Sequence, residues 1–260
     1  MNNSGKRIQA GFTLIEIAIV LLIVTILLGY TVAMFPIQQD LKKYRQVDRE
    51  MDEIIEHLIA FAQVNGRLPC PDTSADAVAP VNTIDGEEDR AGTNDCEAFF
   101  GFLPGRTLGI NGDYDAAGVL LDPWGSGYGY AVSDIDNGGA DKILVTVNGI
   151  RNESMALVIP DLFLCEDNTT ALGDDTDCTA GGANSPEVAA NVPVVVISLG
   201  KDAVLPASSN IQAENVDDFN NGLNDKVYIA APHRDDYDDE VRWISTNLLY
   251  SRMIAAEQLP

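Results

Sequence analysis

FTLIEIAIVLLIVTILLGYTVAMF, from Phe12 to Phe35, decides how this chain is read. The stretch is about 24 residues long, and its only charged side chain is Glu16. As a helix rising about 1.5 Å per residue it would extend roughly 36 Å, enough to cross a bilayer core of about 30 Å. The preceding residues, MNNSGKRIQAG, are polar and basic and include no acidic residue. Lys6 and Arg7 would hold this leader in the cytoplasm by the positive-inside rule, so everything beyond the apolar run would be exported. A secretory signal peptide has an apolar region of about 7–15 residues and a small-x-small cleavage site, and this run is too long for that. A plain single-pass anchor leaves Glu16 unexplained, because a carboxylate in an apolar helix is costly without a partner.

Downstream of Pro36 the pattern becomes amphipathic. Ile37, Leu41, Tyr44, Val47, Met51, Ile54, Leu58 and Phe61 recur at steps of three or four, with charged residues between them. Asn65-Gly66 is a stop signal, so one long helix is predicted from about Phe12 to Val64, with Pro36 as a point of kinking or local opening. Beyond it, Asp72 to Asp95 has the composition of a long loop. Strand-like runs follow at Tyr128–Val132, Lys142–Val147, Met155–Ile159, Val192–Leu199 and Lys226–Ala230, separated by Gly/Asn/Asp-rich connections. The segment Glu240–Leu249 reads as a short strand or turn entering a C-terminal helix over Tyr250–Glu257. The fold class is therefore α+β, a long N-terminal helix packed on an antiparallel sheet with long loops.

The formal net charge is −24, from 40 acidic and 16 basic residues. This balance excludes nucleic acid as a partner, since phosphate binding requires clustered Lys and Arg. It suits a solvated extracytoplasmic head and supplies oxygen ligands for a hard cation. The four cysteines, Cys70, Cys96, Cys165 and Cys178, contain no CxxC pair, and with two histidines a zinc site is not expected. Three disulfide pairings are open. The local one, Cys70 with Cys96 and Cys165 with Cys178, would restrain two polar loops in an oxidising compartment, and free structural thiols are the alternative. No GxSxG, HExxH or P-loop motif occurs, and neither His57 nor His233 stands near a recognisable nucleophile in the sequence, so the chain is read as a non-enzyme.

Gly11-Phe12-Thr13-Leu14-Ile15-Glu16, with the basic leader and the apolar run, resembles the processing site of type IV prepilins and type II secretion pseudopilins. The resemblance implies cleavage by prepilin peptidase after Gly11 and methylation of the new N-terminal Phe12. Glu16 would then be the fifth residue of the mature chain, the family's assembly glutamate, and a neighbouring subunit's terminal ammonium could neutralise it. The implied division is a leader at 1–11, a transmembrane and filament-core helix at 12–36, an amphipathic helix at 37–66 and a periplasmic head at 67–260. The implied partners are the prepilin peptidase, other pilin or pseudopilin subunits and inner-membrane assembly machinery. The implied location is the bacterial inner membrane, and the filament after assembly.

Two head segments carry a second, local resemblance to the major pseudopilin of type II secretion. Asp122-Pro123-Trp124-Gly125-Ser126-Gly127-Tyr128 is similar to its DPWGxxY segment. Ile197-Ser198-Leu199-Gly200-Lys201-Asp202, followed by Asp217-Asp218-Phe219, is similar to its SLGxDG…D segment, which holds calcium in that family. Carried over, Asp202 with Asp217 or Asp218 would be Ca2+ ligands. Lys201, Ala203 and the longer intervening loop depart from that pattern. A bulky acidic head fits a minor subunit better than a densely repeated one. The alternatives are an adhesin-like module at a pilus tip and a plain membrane-anchored periplasmic protein.

Overall fold

The computed structural model describes residues 13–73, 84–136, 138, 142–153, 158–166, 178, 185–201, 203, 215, 226–234 and 237–259, and the backbone alone for residues 31–37. The first helix, α1 (Leu14–Asn65), is assigned as one helix through residue 36, so the backbone stays helical at Pro36. Its second half is built from strong helix formers, and Gly66 ends it in the left-handed conformation at φ 65°. No larger residue fits at Gly66: a Cβ there would lie 3.0 Å from Asn148 Cα and 2.9 Å from Arg151 Nε.

Two compact units divide the chain, Met1–Arg45 and Gln46–Pro260. In the first, the described residues are the N-terminal part of α1. The second holds the rest of α1 and every other element. Its strands are β1 (Phe100–Phe102), β2 (Gly129–Val132), β3 (Leu162–Cys165), β4 (Glu187–Val192), β5 (Val194–Ser198), β6 (Val227–Ile229) and β7 (Glu240–Ile244). Its further helices are α2 (Gly105–Leu108), α3 (Gly149–Asn152) and α4 (Thr246–Ala255).

β1, β2, β5 and β7 form an antiparallel sheet in the order β1-β2-β5-β7. Side chains alternate across it, as the period of two requires. Tyr130, Val132, Val194, Val196 and Ile244 pack in one cluster with Val47, Met51, Ile54 and Leu58 of α1 and Leu249 and Met253 of α4. On the other face Ala131, Val195, Ile197 and Val241 pack with Leu162, Leu164, Val192 and Tyr228 of a second sheet. The first sheet is thus covered on both sides, which explains the unbroken apolar run Val194–Ile197.

The second sheet, in the order β4-β3-β6, corrects the expectation of an antiparallel sheet alone. β3 pairs antiparallel with β4 but parallel with β6. Register shifts interrupt the β3–β4 pair, so these two strands give little periodic signal in sequence, and β1 of the first sheet, only three residues long, gives as little. The strand expected at Lys142–Val147 is a series of turns instead. Ile143, Leu144 and Val145 are buried there by a compact turn, closed by the Val145 and Thr146 N–H groups bonding to the Lys142 carbonyl. Burial without alternation mimics a core strand in sequence. Of Met155–Ile159, residues 154–157 lie outside the described residues, and Val158 and Ile159 are in no strand. Disulfides join Cys70 to Cys96 and Cys165 to Cys178, the local pairing of the three.

Candidate functional site

Gly11 and Phe12 lie outside the described residues. Thr13 caps α1: its carbonyl and its Oγ1 both accept from the Glu16 N–H, at 3.1 and 3.3 Å. Thr13-x-x-Glu16 has the spacing of a capping box, a signal that sequence reading missed because the cleavage motif overlies it. The Glu16 carboxylate sits in the first turn, where the helix dipole favours a negative charge. It is exposed and makes no hydrogen bond or ion pair with any described residue.

The helix beyond it is apolar all round. Ile19, Val20, Leu21, Leu22 and Ile23, five successive residues covering more than a full turn, are each more than half exposed. A helix with no polar face requires an apolar environment on every side. Among the described residues no helix is long and apolar enough to cross a membrane.

In the head the two motif segments meet. The Asp122 Oδ1 accepts from the N–H groups of Trp124, Gly125 and Ser126 at 2.9, 2.9 and 3.0 Å, which folds the turn before β2. Its Oδ2 accepts the Ser198 hydroxyl at 2.6 Å, at the end of β5. Both residues are buried, so this bond ties the two loops directly. Just beyond, Gly200 adopts φ 66° with its α-carbon against the Asp238 backbone, and the Lys201 N–H donates to Asp238 Oδ2 at 2.7 Å. Further along the chain, Asn215 is tied to β6 and to the residue before β7. Its Nδ2 donates to the Ile229 carbonyl and to Asp239 Oδ2, and its Oδ1 accepts from the Ile229 N–H at 2.7 Å. Asp202, Asp217 and Asp218 lie outside the described residues, and among the described residues no group of three His, Cys, Asp or Glu side chains is placed to hold a metal.

Other charges are committed to holding the head together. Arg67 makes a two-pronged bond to Glu88 at 2.7 and 2.5 Å, and the Cys70 N–H donates to the same carboxylate at 3.0 Å. Burial works to raise the Glu88 pKa, but the bonds from Arg67 and Cys70 and the charge of Arg90 prevail and lower it. Lys226 pairs with both Asp134 and Asp161, and Ser133 donates to Asp161 at 2.5 Å, joining the two sheets at one end. Burial opposes ionisation of Asp134, yet Lys226, Asp161 and Lys142 together bring its pKa down to about 2. These partners are far apart in sequence, and no local spacing announces them. His57 Nδ1 lies 3.1 Å from the Leu108 carbonyl, and His233 Nε2 lies 3.0 Å from Glu240, so each histidine is engaged structurally.

Residues 6–32 match the family model described as the Prokaryotic N-terminal methylation motif. The match takes in the basic end of the leader, the Gly11-Phe12 junction and most of the apolar run, and supports a prepilin-like chain. A motif of this kind implies processing by a prepilin peptidase and assembly with other pilin subunits. No curated protein and no solved structure matches the chain.

Proposed function

We infer that the chain is a structural subunit, a minor pilin or pseudopilin, of a type IV pilus or type II secretion filament. The observation that supports this reading is the apolar surface of α1, exposed on every side within the stretch that matches the methylation motif. Before assembly the helix anchors the chain in the inner membrane with the head in the periplasm. After assembly the same surface packs against neighbouring helices, where each fully buried Leu or Ile contributes about 1.5–3 kcal/mol. Glu16 at the start of that surface would pair with the Phe12 ammonium of the next subunit. The chain acts by position and is not an enzyme. All but two of its 40 acidic residues, Glu16 and Asp40, lie beyond Arg45, and heads so charged repel one another, which favours a sparse subunit over the repeated one. Calcium at Asp202 with Asp217 or Asp218 belongs to the same proposal, supported by the motif resemblance and by the anchoring of Gly200 and Asn215, which neighbour these residues in sequence.

The test is the mass of the N-terminal peptide from membrane-fraction protein, with and without the prepilin peptidase. A peptide beginning at methylated Phe12, absent when the peptidase is absent, is the expected result. An intact Met1 terminus, or cleavage elsewhere, would overturn it.

A further inference from the structure

Five Asn-Gly pairs punctuate the chain, at 65–66, 111–112, 137–138, 148–149 and 221–222. Such a pair is chemically labile, because glycine has no Cβ to obstruct attack of its own amide nitrogen on the preceding side-chain carbonyl. The attack needs a nitrogen that can give up its proton and a backbone able to bring it to Cγ. A hydrogen bond from that N–H, or one holding the asparagine side chain, withholds both. Asn137 and the pair at 221–222 lie outside the described residues, which leaves three pairs to compare.

Two of the three are locked. Asn65 ends α1, where its Nδ2 donates to the Phe61 carbonyl at 3.0 Å and the Gly66 N–H donates to the Ala62 carbonyl at 2.8 Å. Asn148 Oδ1 accepts from Arg151 Nη1 at 2.8 Å, and the Gly149 N–H donates to the Thr146 carbonyl at 2.8 Å. Gly66 and Gly149 are both buried. Asn111 and Gly112 are instead both exposed, and neither the Asn111 side chain nor the Gly112 N–H is hydrogen-bonded to any described residue. Their flanks are pinned: the Ile110 N–H donates to the Gly105 carbonyl at 3.0 Å, and the Asp113 carbonyl accepts from the Leu121 N–H at 2.8 Å. The loop between α2 and β2 thus keeps its place, while no described bond restrains the two residues at its turn.

We propose that Asn111-Gly112 is a deamidation site. The Gly112 nitrogen, its proton taken by hydroxide, bonds to Asn111 Cγ. The Cγ–Nδ2 bond then breaks and ammonia leaves with a proton from water, closing a succinimide ring. Water opens that ring at either carbonyl, leaving aspartate or isoaspartate at position 111. In balance one water is consumed, one ammonium is released and one carboxylate is gained, with no oxidant or reductant. The new charge appears in a pocket that Asn111 lines with Glu50, Glu53 and Asp113, none of which pairs with a Lys or Arg among the described residues. Each molecule thereby acquires a lasting acidic mark of its age between α1 and this loop. The inference stands apart from the filament-subunit reading.

The test incubates the detergent-solubilised full chain in mildly alkaline heavy-oxygen water and follows aspartate and isoaspartate at Asn65, Asn111 and Asn148 by peptide mapping. Opening the two bonds at either locked pair costs roughly thirtyfold in the reactive population. Asn111 should therefore convert roughly thirtyfold faster than Asn65 or Asn148, taking up the heavy oxygen, and the three rates should converge in the reduced, urea-unfolded chain. Asn111→Gln, which would have to close a larger ring, should stay unmodified there while Asn65 and Asn148 behave as in the wild type. Comparable native rates at all three sites overturn the proposal, because the hydrogen bonds then discriminate nothing. A native rate at Asn111 far below its rate in urea also overturns it, since the loop would then be held by contacts other than hydrogen bonds. Heavy-oxygen uptake that persists in the same peptide of Asn111→Gln would place the reaction at another residue and overturn it as well.

Discussion

Replacing Asp72 with Asn should make the head less sensitive to alkaline pH. Asp72 is fully buried, with one carboxylate oxygen accepting the Gly86 N–H at 2.7 Å and the other, Oδ1, without a hydrogen-bond partner among the described residues. Burial, aided by the nearby charges of Asp89 and Asp85, pushes its pKa from 3.8 up to about 7 against the pull of the Gly86 bond. The folded state therefore holds this proton more tightly than the unfolded chain. The stability that follows is fully present below about pH 3.8 and is lost as pH rises through 7. Integrating the two titrations between pH 5 and pH 8 gives a loss of about 2.5 kcal/mol. Asn keeps an acceptor for Gly86 and cannot ionise. Urea unfolding of the detergent-solubilised chain, followed through Trp124 and Trp243, both in the head, measures the difference between wild type and Asp72→Asn at each pH. That difference should move by about 2.5 kcal/mol in favour of the variant from pH 5 to pH 8. A difference constant across this range would refute the reasoning and show the carboxylate to be solvated or paired.

Glu88→Ala leaves Arg67 buried without its carboxylate and should cost about 3–5 kcal/mol in the same assay. Because the Glu88 pKa is lowered in the folded head, the stability it supplies is present above the ordinary carboxylate range and is lost as pH falls through the folded value. Glu88→Gln should accordingly flatten the acid limb of the stability profile. Ser198→Ala strands the buried Asp122 Oδ2, so a loss of about 1–3 kcal/mol is expected from thermal melting, and a neutral result would mean that the two motif loops are not coupled through this bond. Calcium at millimolar concentration should raise the melting temperature over that in chelator, and Asp217→Asn/Asp218→Asn should abolish the rise. An unchanged wild-type melting temperature would remove calcium from the proposed function.

Sequence reading performed best where structure is local and periodic. The α1 boundaries, the apolar stripe from Val47 to Leu58, β2, β5, β6 and the β7–α4 junction all follow from spacing. Further up the same stripe Leu41 is exposed. The reading failed where pairing rather than pattern makes the element. β3 is recognisable only once Val227–Ile229 lies parallel to it, and Ile143–Val145 imitate a strand because a buried turn and a buried strand are equally apolar. At the candidate site the motif residues Asp122 and Ser198 were legible one by one, but not the 2.6 Å bond between them, which spans 76 positions. Thr13 was hidden for a different reason: one short segment serves both as processing motif and as helix cap.

That overlap bears on how Glu16 should be judged. A Glu or Gln side chain at this position can serve as a helix cap whatever the helix later assembles with. Loss of assembly in a Glu16→Ala variant would thus confound a frayed helix with a missing ion pair. Glu16→Gln separates them, because Gln also serves at this position of a capping box while carrying no charge. If the residue acts through the Phe12 ammonium of a neighbour, Glu16→Gln should still be cleaved at Gly11 yet fail to enter filaments. Should it act only as a cap, Glu16→Gln should assemble like the wild type and Glu16→Ala should not. Co-sedimentation of the processed chain with sheared filaments reads the two variants side by side, and filament entry by Glu16→Gln would leave the cap as the sole role of this carboxylate.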